Sequence, residues 1–262
     1  MFKLFLVIAV QLLLLTMPAC LNAQSSAKAR ELVEKAIQAH GGRAALEKLL
    51  TASWKGRGLL YRDGNEEKPL PFYGDWHAEK FDKYRYSYAF KGAGGNLPVT
   101  SGFLDGKGWR TMRVNRGADD LPERLAQAMK EEAHAWYVSR LVPLLQSDYQ
   151  LTTLPVTQRD NRQILGLKVD RKQFKSMYLF FDKQKGYLTY IDRKVADMEN
   201  QQEALVETSY LNFRKMGEAT LAQSITMRQG KKMLLEIEME KVEPKTFFPP
   251  KFFEKPPEPK DD

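Results

Sequence analysis

The amino-acid sequence predicts a mainly β (α+β) fold built on a single curved antiparallel sheet of about eleven strands. From Thr51 to Val242, apolar and aromatic residues recur mostly with a period of two, as in strands that bury one face. Short connections, several of them containing glycine, separate these segments, and strands joined in this way must pair antiparallel. Helical patterns open the series and interrupt it once. We therefore expect helices to cover the concave face of the sheet.

Residues 1–23 are predicted to be a signal peptide. Lys3 provides a short basic start, and residues 4–15 are apolar except for Gln11. This apolar run has the length expected for secretion and is too short for a membrane-spanning helix. Cleavage after Ala23 is the expected exit, so the protein is expected in the periplasm or elsewhere in the cell envelope.

Cys20 is the only cysteine of the 262 residues, and it leaves a second exit open. Met17, Pro18 and Ala19 precede it, so Cys20 could be the acylated residue of a lipobox, although Met17 and Pro18 match that motif poorly. We favour cleavage after Ala23, which removes Cys20. A single domain over 24–243 then contains no disulfide, thiol nucleophile or cysteine metal site and depends on an apolar core.

The formal net charge of +8 favours anionic partners such as phospholipid headgroups, lipopolysaccharide or acidic glycans. Nucleic acid is excluded as a partner by the predicted export. Basic residues are also dispersed among acids, as in Lys130-Glu131-Glu132, and we favour an ordinary solvated surface as the explanation of this pattern. A peripheral contact with a membrane therefore stays open, and the protein is expected to be a monomer.

Two short helices are predicted before the strands. Over residues 25–39, apolar residues recur at three- and four-residue spacings, which gives one stripe on an amphipathic helix. Gly41 and Gly42 end this helix, because glycine accepts the left-handed conformation common at helix C-termini. Residues 43–50 form the second helix.

A long helix is predicted over residues 121–146, and it is the candidate lid over the sheet. Asp119 and Asp120 stand before Leu121-Pro122, which places a cap and an early proline at its start. Pro143 is expected to bend or end its last turn.

The strand pattern is clearest in residues 76–90, where aromatic residues alternate with polar or small ones. Pro71 makes 69–73 suitable for an edge strand, because proline lacks a backbone donor. Residues 91–96 are a glycine-rich loop, and Asp105-Gly106 marks a hairpin. The other predicted strands are 52–61, 97–104, 109–114, 149–156, 164–170, 176–181, 187–195, 204–213, 220–228 and 233–242.

No catalytic, metal-binding or cofactor-binding motif is present in the sequence. His40, His77 and His134 have no second histidine or carboxylate at a familiar metal spacing, and no Gly-x-Ser-x-Gly motif occurs. The glycine-rich segment follows a strand and precedes another strand, so it is no phosphate loop. We therefore predict a protein that is not an enzyme and that uses no cofactor; an exported hydrolase has little support.

Aromatic residues are abundant on the predicted strands and on the long helix. A curved sheet with such a face, covered by a helix, can enclose an apolar cavity, although a filled core is the alternative. Gly56 and Gly58 leave part of one strand bare and slightly favour open space. The candidate cavity residues are Trp54, Tyr84, Tyr86, Tyr88, Phe103, Trp109, Trp136, Tyr137, Tyr178 and Phe180.

The C-terminal segment 244–262 is rich in proline and phenylalanine and is predicted to be extended. Its two phenylalanine pairs, Phe247-Phe248 and Phe252-Phe253, are expected to pack along the sheet as a strap. A recognition tail for another envelope protein is the alternative.

Four segments carry a resemblance to a known family. Residues 36–42 (AIQAHGG), Ala45-Leu46 and residues 54–58 (WKGRG) resemble the opening of exported proteins related to the bacterial outer-membrane lipoprotein-sorting carriers, the LolA/LolB-like superfamily. The hairpin over 178–188 is similar to theirs as well. The resemblance implies an open half-barrel of about eleven strands whose apolar cavity accepts acyl chains without a cofactor. Chain length, the aromatic tail and the glycine-rich loop depart from a standard carrier.

The leading hypothesis is therefore an exported, non-enzymatic carrier that binds a lipid or an acylated lipoprotein. The alternative is an envelope interaction or sensor module in which the same fold has a filled core and binds a protein or glycan partner.

Overall fold

The computed structural model describes residues 26–91, 97–111, 117–196 and 203–257. In these residues the chain forms one 14-stranded antiparallel sheet and three α-helices. The predicted signal peptide with Cys20, most of the glycine-rich loop and the last five residues of the tail lie outside the described residues.

Helix α1 covers residues 26–39, α2 Arg43–Glu47 and α3 Glu123–Val138, and 3-10 helices cover Lys48–Leu50, Arg62–Gly64 and Val142–Leu145. The strands are β1 (Thr51–Leu60), β2 (Leu70–Glu79), β3 (Lys83–Phe90), β4 (Leu97–Leu104), β5 (Lys107–Thr111), β6 (Asp119–Asp120), β7 (Tyr149–Thr153), β8 (Thr157–Arg159), β9 (Arg162–Arg171), β10 (Met177–Asp182), β11 (Leu188–Ala196), β12 (Glu203–Met216), β13 (Ala219–Gln229) and β14 (Lys232–Pro244).

The strand order is β6-β5-β4-β3-β2-β1-β14-β13-β12-β11-β10-β9-β7, with β8 paired to β9. The first and the last long strands, β1 and β14, are therefore neighbours in the middle of the sheet. In the described part of the chain β6 and β7 are its two edges, so the sheet is open and not closed into a barrel. The predicted fold class is confirmed.

The sheet curves around helix α3. This helix contacts β3, β4 and β5 in one half of the sheet and β11 in the other half. In a flat sheet β3 and β11 would lie ~29 Å apart, at ~4.8 Å for each strand spacing. A helix with its side chains is only ~10–12 Å wide, so both contacts require a curved sheet. We call the face toward the helices the inner face and the opposite one the outer face.

Alternation along the strands decides which side chains reach the inner face. In β2, Phe72, Trp76 and Ala78 are buried, whereas Tyr73 is 48% exposed on the outer face. This is the half-buried pattern expected for a sheet with one covered face. The inner-face residues of both halves join α1, α2 and α3 in one hydrophobic core.

The observed strands differ from the predicted ones in two places. The predicted strand 76–90 is a hairpin, because the chain turns at Lys80, which has a φ of 58° and donates its N–H to Leu50 O at 2.8 Å. Strands β6 and β8 are only two and three residues long, too short for an alternating pattern.

The prediction that residues 69–73 form an edge strand is wrong, because β2 lies between β1 and β3. Pro71 O accepts the N–H of Lys91, just beyond the end of β3. In a strand the N–H and C=O of one residue point to the same neighbour. The donor that Pro71 lacks therefore faces the end of β3, and the ladder with β1 stays intact.

Helix α3 begins and ends inside the predicted range. Asp119 and Asp120 form β6 instead of capping the helix, and Pro122 is the N-cap residue without a side-chain cap. The helix ends at Val138, and Leu141 then takes a φ of 64° before the 3-10 turn that contains Pro143. The positive φ of Leu141 lies outside the right-handed helical region, so the chain leaves the helix earlier than predicted.

His40 fixes the end of α1 to the sheet. Its Nδ1 lies 2.7 Å from Thr220 O, and its Nε2 accepts the N–H of Leu188 at 3.0 Å. The second contact requires an unprotonated Nε2, so the ring is neutral with its proton on Nδ1. Burial lowers the pKa of His40 to about 4.

We expect His40→Phe to lower the free energy of unfolding by about 2–4 kcal/mol, because the Leu188 N–H and Thr220 O lose their buried partner. Phenylalanine keeps the ring contacts with Tyr187 and Phe213. Urea unfolding at neutral pH measures the difference, and a loss of a few tenths of a kcal/mol would contradict the proposed role.

Stability should also decline in acid. The folded pKa values of His40 and His77 are about 4 and that of His134 about 3, all lowered mainly by burial. A histidine with a depressed folded pKa makes its full contribution to the free energy of unfolding at pH values above its unfolded pKa of about 6.5. As the pH falls from there to the folded pKa, this contribution decreases by up to about 1.4 kcal/mol per pH unit. We expect the His40→Phe variant to show a shallower decline between these values than the parent protein; equal slopes would argue against the neutral ring.

Candidate binding cavity beneath helix α3

A cavity of about 240 Å³ lies between helix α3 and the inner face of the sheet. Its lining is aromatic and aliphatic, with two charged side chains. The sheet contributes Trp76, Tyr84, Tyr86, Tyr88, Arg110, Met227, Leu235 and Ile237, and the helix contributes Leu125, Ala128, Met129, Glu132 and Trp136.

The aromatic wall follows from the alternation of β3. Tyr84, Tyr86 and Tyr88 occupy every second position, and successive ring centroids lie 5.9 and 4.9 Å apart. Trp76 Nε1 donates to Tyr88 Oη at 3.3 Å. Burial raises the pKa of Tyr84 and Tyr88, so their hydroxyls stay neutral. The wall therefore presents ring faces to the cavity and carries no charge.

Arg110 brings a cation to this wall. It alternates with Trp109 in β5, so its side chain lies on the inner face. Its Nε donates to Ser101 Oγ at 3.0 Å, and one terminal nitrogen lies 3.3 Å from Tyr86 Oη. The guanidinium is thus held by neutral oxygens and keeps its charge available to a ligand.

Glu132 ties helix α3 to the sheet. One carboxylate oxygen accepts the Trp136 Nε1–H at 2.9 Å, and the other is paired with Arg193 of β11. The Arg193 side chain is only 7% exposed, so this ion pair is largely removed from water. The ion pair holds the side of helix α3 that faces β11 to the sheet, and the rest of the helix covers the cavity.

Trp136 separates the large cavity from a smaller one of about 40 Å³. Its ring centroid lies 5.7 Å from that of Trp54 on β1. The smaller cavity is lined by His40, Trp136, Ser139, Arg140, Leu188, Tyr210, Phe213, Leu221, Ala222, Ile225, Met239 and Val242.

Four of the ten residues predicted to form a cavity line the large one: Tyr84, Tyr86, Tyr88 and Trp136. Trp54 and Phe103 are buried on the same inner face, in the hydrophobic core that adjoins the cavity, and do not line the cavity themselves.

Tyr137 lies on another flank of α3. It packs against Phe81 at 5.4 Å and accepts a hydrogen bond from Gln146. It therefore belongs to the core beside the cavity and not to the cavity wall.

Trp109, Tyr178 and Phe180 face outward. Trp109 is buried on the outer face, where its Nε1–H donates to Phe253 O at 2.9 Å. Phe180 alternates with buried Leu179 and carries Arg159 over its ring at 5.6 Å. Aromatic character selected these residues in the sequence, but the face of a strand depends on whether a position is odd or even.

Sequence reasoning missed Arg110, Glu132 and the residues of β13 and β14 that close the cavity. Two features of the sequence are relevant. Arg110 alternates with Trp109, so the two side chains lie on opposite faces of the strand, although the sequence does not say which face is inner. Glu132 stands one helical turn before Trp136, which is the spacing of contacting side chains. The contribution of β13 and β14 depends on their pairing next to β1, which no local pattern encodes.

A concavity of about 420 Å³, larger than the inner cavity, lies on the outer face. Its walls include Arg57 and Glu238, an ion pair at 2.8 Å, and Tyr73 with Lys91 over its ring at 4.9 Å. These side chains alternate with core residues and are largely solvated. Size alone therefore does not make it the better site for an apolar ligand.

The C-terminal segment packs on the outer face. Phe248 and Phe252 contact the ring of His77 at 5.8 and 5.0 Å, and Phe253 is buried. Phe247, in contrast, is 72% exposed.

Ser53 Oγ lies 2.8 Å from His77 Nδ1, a contact that resembles a nucleophile and its base. Ser53 is buried, and the Phe252 ring lies across His77. The pair therefore has no room for a substrate and serves to hold β1, β2 and the C-terminal segment together.

Across the described ranges, no group of three His, Cys, Asp or Glu side chains could hold a metal ion. In the same residues, no helix is long and apolar enough to cross a membrane.

Solved structures share this fold. A domain described as an outer-membrane lipoprotein-sorting protein from Vibrio parahaemolyticus is similar with a TM-score of 0.54 and 10% identity, covering 87% of this chain and 97% of that one. A LolA-superfamily protein from Nitrosomonas europaea gives 0.54 and 11% over 81% and 96%. A DUF1329-family protein from Desulfovibrio piger gives 0.53 and 7% over 86% and 97%. At these identities the similarity establishes the fold alone.

The resemblance to lipoprotein-sorting carriers is thereby confirmed as a divergent LolA-like fold. No protein-family model matches the chain, and no curated protein is significantly similar in sequence.

We expect Glu132→Ala to destabilise the protein by about 3 kcal/mol, because it leaves Arg193 buried without a counter-charge. Glu131→Ala is the matched control. The Glu131 carboxylate accepts a hydrogen bond from Gln127 on the helix surface, so removing it should cost less than about 1 kcal/mol. Urea unfolding compares the two. Adding Arg193→Met to Glu132→Ala should recover part of the lost stability. Equal effects of Glu132→Ala and Glu131→Ala would contradict the role of the Glu132–Arg193 ion pair in holding helix α3 to the sheet.

Proposed function

We propose that this protein is an exported, non-enzymatic carrier of the cell envelope that shelters an acyl chain of a lipid or lipoprotein beneath helix α3. The observation that carries the proposal is the lining of the inner cavity, where aromatic rings of β2 and β3 face aliphatic side chains of α3, β13 and β14. The fold shared with a lipoprotein-sorting protein and a LolA-superfamily protein supports it.

Burial of methylene groups supplies the binding energy. Each buried methylene contributes about 0.8 kcal/mol, so a palmitoyl chain contributes roughly 10 kcal/mol before the costs of ordering. Arg110 at the aromatic wall adds attraction for an anionic headgroup, which the net charge of +8 also favours.

The cavity must enlarge to accept a whole acyl chain. Its volume of about 240 Å³ is below the ~300–1,000 Å³ of most small-molecule pockets. Helix α3 closes the cavity, and the irregular segment after Val138, with Leu141 at a φ of 64°, can absorb a change in its direction. In this proposal α3 is the lid, and it moves away from β3 and β13 as the chain enters.

A second candidate function rests on Phe247. An aromatic side chain that is 72% exposed suits contact with an envelope protein. In that function the inner cavity stays closed and the C-terminal segment meets the partner.

We expect Ala128→Trp to abolish acyl binding, because Ala128 lines the cavity and the indole would fill it. Gln127→Trp is the matched control, since it puts the same ring on the exposed side of the same helix. Native mass spectrometry after incubation with palmitoylated peptide measures uptake, and extraction of the protein from its own envelope identifies any natural lipid.

Retention of the acyl adduct by Gln127→Trp and its loss in Ala128→Trp would support the carrier. Equal uptake by both variants would place the acyl chain elsewhere, and no uptake by the parent protein would favour the interaction module.

The second candidate makes its own prediction. Phe247→Ser should leave stability within about 0.5 kcal/mol of the parent protein, because the side chain is exposed. It should reduce co-purification of an envelope partner by about tenfold if Phe247 is an anchor. Unchanged partner recovery, measured by quantitative pull-down against the parent protein, would reject that function.

A further inference from the structure

Arg140 is a buried cation without an acidic partner. It follows α3, and only 8% of it is exposed. Within the part of the chain that the structure describes, no carboxylate pairs with its guanidinium, and the one residue whose charge acts on its pKa is Tyr210. Burial lowers the pKa of Arg140 to about 10, so the side chain is charged at neutral pH.

Two aromatic rings receive this cation. The guanidinium carbon lies 5.1 Å from the centroid of Trp54 and 6.0 Å from that of Trp136. Such contacts attract a cation but supply no negative charge to pair with it. Trp54 Nε1 next to it is buried and has no hydrogen-bond partner. A cation without a counter-charge and a donor without an acceptor thus lie close together behind Trp136.

An unpaired buried charge is normally strongly destabilising, and proteins remove it or pair it. Arg140 borders the small cavity of about 40 Å³ that also contacts Tyr210 and Ser139. The missing partner of this cation therefore has a place to bind, and that partner must be a small acceptor group with negative charge.

We propose that Arg140 binds the carboxylate of a long-chain fatty acid, which makes free fatty acids a ligand class of this protein. The cavity of about 40 Å³ is small, so it suits a compact anionic group such as a carboxylate better than a bulkier one. The planar guanidinium fork also matches two carboxylate oxygens. A phosphate monoester is larger and tetrahedral, so it fits this space and this fork less well.

The acyl chain of this ligand runs past Trp136 into the large cavity, so the inference rests on the proposed carrier function. A void of about 10 Å³ lies between the two cavities, and Trp136, Tyr210 and Met227 line it together with the ion-paired Glu132 and Arg193. Trp136 is held in place by Glu132, and a rotation of its ring would join the three spaces. The carboxylate would then be the deepest part of the ligand.

The test compares palmitate with hexadecanol and hexadecyl phosphate in equilibrium dialysis, at a pH where the acid is ionised. We expect the parent protein to bind palmitate at least about tenfold more tightly than hexadecanol. Arg140→Met should bind both with similar affinity. Arg57→Met, which removes an arginine from the outer face, is the matched control and should keep the preference.

The outcomes distinguish the proposed role of Arg140, which we call the carboxylate anchor, from the proposed carrier function. No binding of any of the three ligands would overturn the proposed function itself. Equal binding of palmitate and hexadecanol by the parent protein, or a preference that survives in Arg140→Met, would overturn the anchor alone. Tighter binding of hexadecyl phosphate than of palmitate would overturn the choice of a carboxylate. If Arg140→Met does not fold, Arg140→Lys should fold and keep part of the preference; a full loss would overturn the role of charge.

Discussion

The contact of one helix with both halves of the sheet is the constraint on which the rest of the structure depends. Helix α3 reaches β3 to β5 on one side and β11 on the other, and this requires the sheet to curve. The bulky Trp136 packs on Trp54, whereas small Ala128 leaves space over the aromatic wall. Close packing at one end of the helix and open space at the other follow from side-chain size, and together they form the cavity.

Trp136 lies between two groups of charged side chains beneath the helix. On the side of the large cavity, Glu132 compensates Arg193, and Arg110 is held by neutral oxygens. On the other side, Arg140 meets aromatic rings and no acid. The helix and the residues that follow it thus border a paired site, which stabilises the fold, and an unpaired site, where we propose that a ligand binds.

The sequence predicts the elements better than their partners. Alternation in 76–90 indicates strands, and the glycines after His40 mark a helix end, because both signals are local. The face occupied by Trp109 and the internal position of Pro71 depend on strand pairing, which is not local. For the same reason the role of Arg140 could not be predicted: its missing counter-charge becomes visible only when all neighbouring elements are in place.

The pairing of β1 with β14 has a consequence for how the chain folds. Ala52 pairs with Pro244, so the centre of the sheet joins segments from the two ends of the domain. Contacts between such distant segments close a large loop and form slowly. During synthesis, β1 emerges long before its partner exists, and neither half of the sheet can complete its core. We therefore expect the sheet to be completed only when almost all of the chain has been made, and such late folding is compatible with the proposed export, because an unfolded chain can still be threaded across a membrane.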